Sequence, residues 1–160
     1  MLTPLPVQDL SVAAFAPYGQ VISPSIDGQA YGEDDAQLDL RQGTPRFYIM
    51  HLEHRGRQFS DITRHERCTQ CLGSLTIDQP WYLAVAPPSV EPEPDLQALQ
   101  AFRIIGPCFI KLHVGTWHAG PFFDAATMDF YNLELSDTNV VDHTTYNFEQ
   151  QQAKRFEFVL

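Results

Sequence analysis

Turn residues cut this chain into short pieces, and that limits it to a fold of many brief strands. Twelve prolines and nine glycines are spread over 160 residues. Proline removes a backbone donor and fixes φ, so neither a long helix nor a central strand runs through one. Between the breaks, side chains alternate with the period of two that marks a strand. Arg46–Glu53 sets Phe47, Ile49 and His51 against Tyr48, Met50 and Leu52. Both faces carry large side chains, which predicts a strand inside a sheet sandwich. Residues 59–65, 69–77, 81–86, 103–105, 109–114 and 128–135 read as further strands.

Helical signals are few. Leu5, Leu10, Phe15 and Tyr18 recur at roughly helical spacing before Gly19, which predicts a helix in the opening segment and a short strand at Val21–Ile22. Asp95 stands as the N-cap of a short helix bearing Leu96, Leu99 and Phe102. Residues 23–44 are acidic and loop-like, either a solvated excursion or a flap over a site. Residues 143–160 read as a polar tail with Phe148, Phe156 and Phe158 available for docking. The expectation is one domain over residues 1–160, mainly β, folded as a compact barrel or jelly roll with one or two short helices.

Charge narrows the function classes. Twenty Asp and Glu stand against ten Lys and Arg, a formal net charge of −10. No basic stripe exists, so nucleic acid and anionic membranes are poor partners. A small anionic substrate is compatible only with locally gathered cations. No apolar run approaches a membrane span, and MLTPLPVQDL has neither a basic nor an apolar signal region, which together predict a cytoplasmic protein. Cys68, Cys71 and Cys108 are too few and too irregular for a disulfide framework or a zinc site, and read best as buried thiols.

The densest chemistry lies in Phe109–Pro121, FIKLHVGTWHAGP. Lys111 and His113 share a strand face, Gly115 and Thr116 turn the backbone, and Trp117 and His118 open the next segment. A glycine bend lets histidines five apart converge. A second cluster, Thr63-Arg64-His65-Glu66-Arg67-Cys68-Thr69-Gln70, has His65 and Gln70 at the same separation. Glu134 and Asp129, five apart on a strand, point to opposite faces, so at most one of them turns inward. His51, His54 and His143 carry no such signal. Rossmann and Walker glycines, a nucleophile elbow and a serine triad are absent.

In order and spacing, T-x-H-x-x-x-x-Q at Thr63, His65 and Gln70, followed by H-x-G-x-x-H at His113, Gly115 and His118, resembles the two motifs of cupins. Thr63 stands for a histidine and Gln70 for the acid. Over residues 4–142 the chain more closely resembles ureidoglycolate lyases, cupin-fold enzymes of allantoin breakdown. The likeness rests on PLPVQDLSVAAFAPYGQVI, RHERCTQ, PDLQALQAF, GTWHAGP and Met128-Asp129-Phe130. Departures are Thr63, Glu66, Cys71-Leu72, and Leu135 where that family carries an arginine.

The resemblance implies a cupin-like jelly roll, a homodimer, and a carbon–nitrogen lyase that releases glyoxylate and urea. It implies His113, His118 and Lys111 as catalytic groups. Arg64, Gln70, Trp117 and Glu134 would contact substrate. His65, Gln70 and His118 would hold a divalent metal, or form a metal-free hydrogen-bonding site. A non-catalytic small-molecule-binding cupin, or another cupin enzyme such as an isomerase or dioxygenase, stays open beside this reading.

Overall fold

The structure, a computed structural model, describes residues 1–160. It is built from thirteen strands and a few one-turn helices, in two sheets. The smaller sheet orders its strands β2 (Gly19–Ile22), β9 (Phe109–Leu112), β6 (Gln70–Ser74), β11 (Thr127–Leu135) and β3 (Pro45–Glu53). The larger one runs β12 (Thr144–Asn147), β5 (Asp61–Arg64), β10 (Trp117–Phe123), β7 (Trp81–Ala86), β8 (Gln100–Ile104), β1 (Leu2–Asp9), β13 (Arg155–Val159) and β4 (Gln58–Phe59). Only Ser60 joins β4, at one end of that sheet, to β5 near the other, so the sheet curls back on itself. The mainly β, jelly-roll-like fold expected from the alternation is present. No helix is long and apolar enough to cross a membrane.

Two cores follow from this curl. Strand β7 is buried along its whole length and serves both. Its Trp81, Leu83 and Val85 pack between the sheets with Phe15, Phe102, Ile110 and Phe130. Its Tyr82, Ala84 and Ala86 face the inside of the curl with Phe59, Trp117, Phe148, Phe156 and Phe158. Alternation therefore sends neighbouring residues of one strand into different cores.

Three expectations are corrected. The opening segment is a strand, not a helix, over Leu2–Asp9. Pro4 and Pro6 are two apart, so both missing donors fall on the same edge of β1, and the strand keeps a parallel ladder to β13. The helix that does form is one turn, Val12–Phe15, with the Ser11 hydroxyl accepting from the Ala14 amide. Strand β3 is not interior: it lies at the open edge of the smaller sheet, with Phe47 71% and Ile49 62% exposed. Residues 143–160 are no tail. They form β12, a short helix Phe148–Gln152 and β13, and their phenylalanines complete the core inside the curl.

Residues 23–44 contain no helix or strand. Gln20 anchors them through its amide, which donates to the carbonyls of Glu33 and Asp35 and accepts from Gln37. Gln20 faces away from the core, because its neighbour Val21 packs into it. Gly19 is required where the chain enters β2: a Cβ there would lie 2.0 Å from the Lys111 carbonyl oxygen.

Phe148 is fully buried and packs against Phe59, Tyr146 and Phe156. Its truncation to alanine is expected to cost about 3–5 kcal/mol, read as a lower urea midpoint with an unchanged slope.

Candidate functional site

One end of the space between the sheets is polar. Along β11 the inward residues run Met128, Phe130, Asn132, Glu134, and along β3, paired opposite, Leu52, Met50, Tyr48, Arg46. On β6, inward Leu72 gives way to Gln70. On β10 the inward residue at this end is His118, since Trp117 and Ala119 on either side pack into the other core. Four strands thus change from apolar to polar toward the same end, β6 one inward position later than β11 and β3, and the alternation that fixes the core also fixes this pocket.

His65 enters from the bend between β5 and β6. Its ring centroid lies 5.1 Å from that of His118 and 5.5 Å from that of His143. His65 Nδ1 donates to the Asp142 carbonyl at 2.5 Å, and His118 Nδ1 donates to the Thr116 carbonyl at 3.2 Å. A backbone carbonyl only accepts, so each ring carries its proton on Nδ1 and presents Nε2 as a bare acceptor. Both rings are buried. Burial lowers the His65 pKa against the opposing pull of the Asp142 carbonyl. Burial, reinforced by the neighbouring His65, pushes His118 down to about 3. Both imidazoles are neutral at pH 7.

Asp142 fixes the bend. Its carboxyl oxygens accept from the backbone amides of Glu66 at 2.7 Å and Arg67 at 2.9 Å, while its carbonyl holds His65. Beneath the histidines lies a hydrogen-bonded floor. The Gln70 amide donates to Asn132 at 3.1 Å and Glu134 at 3.2 Å. Tyr48 donates to Glu134 at 3.2 Å and accepts from Asn132 at 3.0 Å, and Asn139 also donates to Glu134. Gln70 Oε1 is buried with no donor.

Of the residues singled out in the sequence, His65, Gln70, His118 and Glu134 come together. Glu134 turns inward while Asp129 faces out and meets His51 at 2.6 Å, as alternation required. His113 borders the same small space as His65, Gln70 and His118 but has both ring nitrogens engaged, and Lys111 does not join them. Ile110 and Leu112 take the inward positions of β9, so Lys111 faces outward beside Cys71 and Gln20. His113 Nδ1 accepts from Lys111 Nζ at 3.1 Å and its Nε2 donates to the Ala16 carbonyl, leaving no free nitrogen. Burial depresses the pKa of both.

Arg64 and Trp117 are on the far face of the larger sheet. The guanidinium stacks 4.5 Å over the indole and donates to the carbonyls of Ser89 and Glu91, which ties down the proline-rich segment 87–94. Cys68 and Cys71 are buried free thiols, and burial pushes Cys71 up to about 12. Tyr48, Asn132, Asp142 and His143 were not singled out in the sequence. The inward alternation of β3 and β11 could have found the first two; nothing local marks the others.

No three His, Cys, Asp or Glu side chains are placed to share a metal ion. What converges is a neutral set, two bare Nε2 atoms and the donorless Gln70 Oε1, around a space with no room for a water molecule. These donors suit a borderline divalent ion held loosely rather than a hard one. Away from that space, His118 and Thr63 also line a cleft of about 380 Å³ that opens to solvent between β5 and β10.

The neutral buried histidines set the acid stability of the fold. The folded pKa of His118, about 3, lies below its unfolded value, so the unfolded chain binds more protons as pH falls through the window between them. Stability is complete above about pH 6.5 and declines below it, by up to about 1.4 kcal/mol per pH unit for one such group. His118→Gln is expected to flatten the fall in urea midpoint between pH 6.5 and 5, before carboxylates begin to titrate.

The model of the family described as ureidoglycolate lyase matches residues 2–154. A comparison with curated proteins finds no match. Seven solved chains match, among them an oxalate decarboxylase studied for its substrate-binding mode and a switch in its reaction specificity. That match has a TM-score of 0.44 and 10% identity, and covers 68% of this chain and 25% of that one. This chain therefore spans about a quarter of that protein's length. With nearly its whole length matched by the family model, the chain belongs to the ureidoglycolate lyase family.

Proposed function

We propose that His65 and His118 carry the family's reaction, the cleavage of ureidoglycolate to glyoxylate and urea. The substrate is a hemiaminal whose central carbon bears a hydroxyl, a carboxylate and the ureido nitrogen. Cleavage takes the proton from the hydroxyl, the oxygen electrons form the carbonyl, and the C–N pair leaves with the nitrogen, which is protonated. One proton is shuttled and none is consumed.

The observation that carries this reading is the pair of neutral imidazoles with Nδ1 spent on backbone carbonyls and Nε2 bare. A bare Nε2 accepts the hydroxyl proton. The site disfavours an imidazolium, through burial and through the second ring, so the proton is surrendered readily to the departing nitrogen. The cleft reaching His118 supplies an approach from solvent, and its volume exceeds that of so small a substrate. Gln70, Asn132, Tyr48 and Glu134 give the reacting groups a floor fixed by mutual hydrogen bonds, which limits reorganisation during the reaction.

A divalent metal ion, where bound, would be held by His65 Nε2, His118 Nε2 and Gln70 Oε1, and supplies Lewis-acid polarisation of the hydroxyl oxygen. The same reading places the enzyme in the cytoplasm as a single-domain homodimer. The exposed Phe47 and Ile49 on the open edge of β3 support a surface for the second copy.

Purified protein is expected to release glyoxylate from ureidoglycolate. His118→Ala and His65→Ala should each lower the rate by about 100-fold or more while still melting cooperatively. A His118→Ala protein with wild-type turnover removes this histidine from the mechanism.

A further inference from the structure

Cations are scarce in this chain, ten against twenty acids, and most guanidinium groups are answered by one of those acids. Arg41, Arg57, Arg67 and Arg103 pair with aspartates, and Arg64 with Glu66. The cleft between β5 and β10 runs against this pattern. Arg55, from the turn after β3, and Arg155, the first residue of β13, both line it, and neither has a carboxylate partner. Asp61 is the one acid on the cleft wall, and its oxygens already accept from Ser60 at 3.3 Å and Asn147 at 2.6 Å. Two positive charges thus stand against one engaged carboxylate, which leaves the cleft cationic within a chain of net charge −10.

The two guanidinium groups are held differently. Arg55 Nη2 donates to the Pro121 carbonyl at 3.0 Å, and the group lies 4.9 Å from the Phe122 ring centroid. These contacts fix its place and leave Nε and Nη1 unused. Burial lowers its pKa and no acid acts to raise it, although a guanidinium stays charged throughout. The backbone amide of Arg155 donates to the Met1 carbonyl at 2.9 Å, while its side chain is exposed and makes no hydrogen bond or ion pair. One cation is preset and the other can swing onto a ligand.

The cleft also reaches a reacting group. His118 lines it beside both arginines. Pro121, whose carbonyl holds Arg55, is three residues beyond His118 on β10, so at most about 11 Å of backbone separates the two, however the strand bends between them. The carboxylate and hydroxyl of ureidoglycolate share one carbon, so the cation that holds the first has to stand near the base that takes the proton of the second. No other cation lines this cleft. Arg46, the remaining guanidinium without a carboxylate, is exposed over the Tyr48 ring and borders neither the cleft nor the space between the histidines, and the same holds of the cleft for Lys111 and Lys154.

We infer that Arg55 and Arg155 receive the substrate's carboxylate in this cleft, and that the pair selects an α-hydroxy acid anion over its neutral amide. The inference rests on the ureidoglycolate reading above and deepens it. Arg155 offers a whole N–H edge for a bidentate contact, and Arg55 adds a second donor from a fixed position.

The test compares ureidoglycolate with its neutral carboxamide in wild type, Arg55→Met, Arg55→Lys, Arg155→Met and Arg46→Met. Arg55→Met and Arg155→Met are each expected to raise KM for the acid about tenfold, with kcat within about threefold of wild type and the amide little changed. Arg55 also packs on Phe122, so Arg55→Lys separates charge from packing and should recover part of the acid preference. Arg46→Met should keep that preference whole. Added salt should weaken acid binding in wild type and do so far less when both cleft arginines are replaced. An Arg55→Met or Arg155→Met enzyme that keeps its acid preference, or an Arg46→Met enzyme that loses it, overturns the pair and leaves the lyase reading standing. A wild-type protein that cleaves neither compound refutes the lyase reading itself, and the pair with it.

Discussion

The contact between Asp142 and the 65–67 bend is the constraint on which the site depends. One residue, far along the chain, supplies three acceptors: two carboxyl oxygens to consecutive backbone amides and a carbonyl to the His65 ring. Charge-assisted bonds to backbone amides are among the stronger ones available to a protein, and these are buried or nearly so. They do more than close a turn. By fixing the proton on Nδ1 they decide which nitrogen His65 offers, and so whether it works as an acceptor at all. His118 reaches the same state by a different route, through the Thr116 carbonyl two residues before it. The pair is symmetric in chemistry although its supports come from distant and local backbone respectively.

Burial gives this geometry its electrostatic character. Two imidazoles with centroids 5.1 Å apart cannot both be charged at tolerable cost in a dry space, and desolvation holds both neutral. The same physics acts on the outer side of the smaller sheet. Lys111 is buried without a carboxylate, and its amino group leans on a neutral His113. Lys111 and His113 thus form a second depressed basic pair, and His113 also borders the space that His65 and His118 line. Of the inward pair, His118 also lines the cleft that opens to solvent.

The larger sheet explains how so short a chain affords a polar pocket beside a core. Its curl lets β7 and β10 bury both faces, so the aromatic residues of the C-terminal segment stabilise one side while the other is free to carry His118. Trp117 and His118, adjacent in sequence, end on opposite sides of a strand. Arg64 follows Trp117 to the far side, and its stacking there holds a proline-rich loop instead of a substrate.

The sequence by itself determined the strand-rich class, because proline and glycine spacing and period-two alternation are local properties of the chain. It also determined which face of β11 turned inward, hence Glu134 against Asp129, and the motif order that marks the family. Strand order, and so β3's place at an edge, needed pairings between segments as far apart as Leu2 and Arg155, to which local periodicity is blind. Likewise the 143–160 segment looked like a tail because its apolar residues have no partner nearby in sequence; their partner is the curled sheet. The roles of His113, Lys111, Arg64 and Trp117 turned on a half-rotation of the backbone at each strand, decided by which side met the larger apolar surface. Asp142 and Tyr48 carried no motif, and only the folded chain, by bringing backbone amides and ring edges within hydrogen-bond reach, made them part of a site.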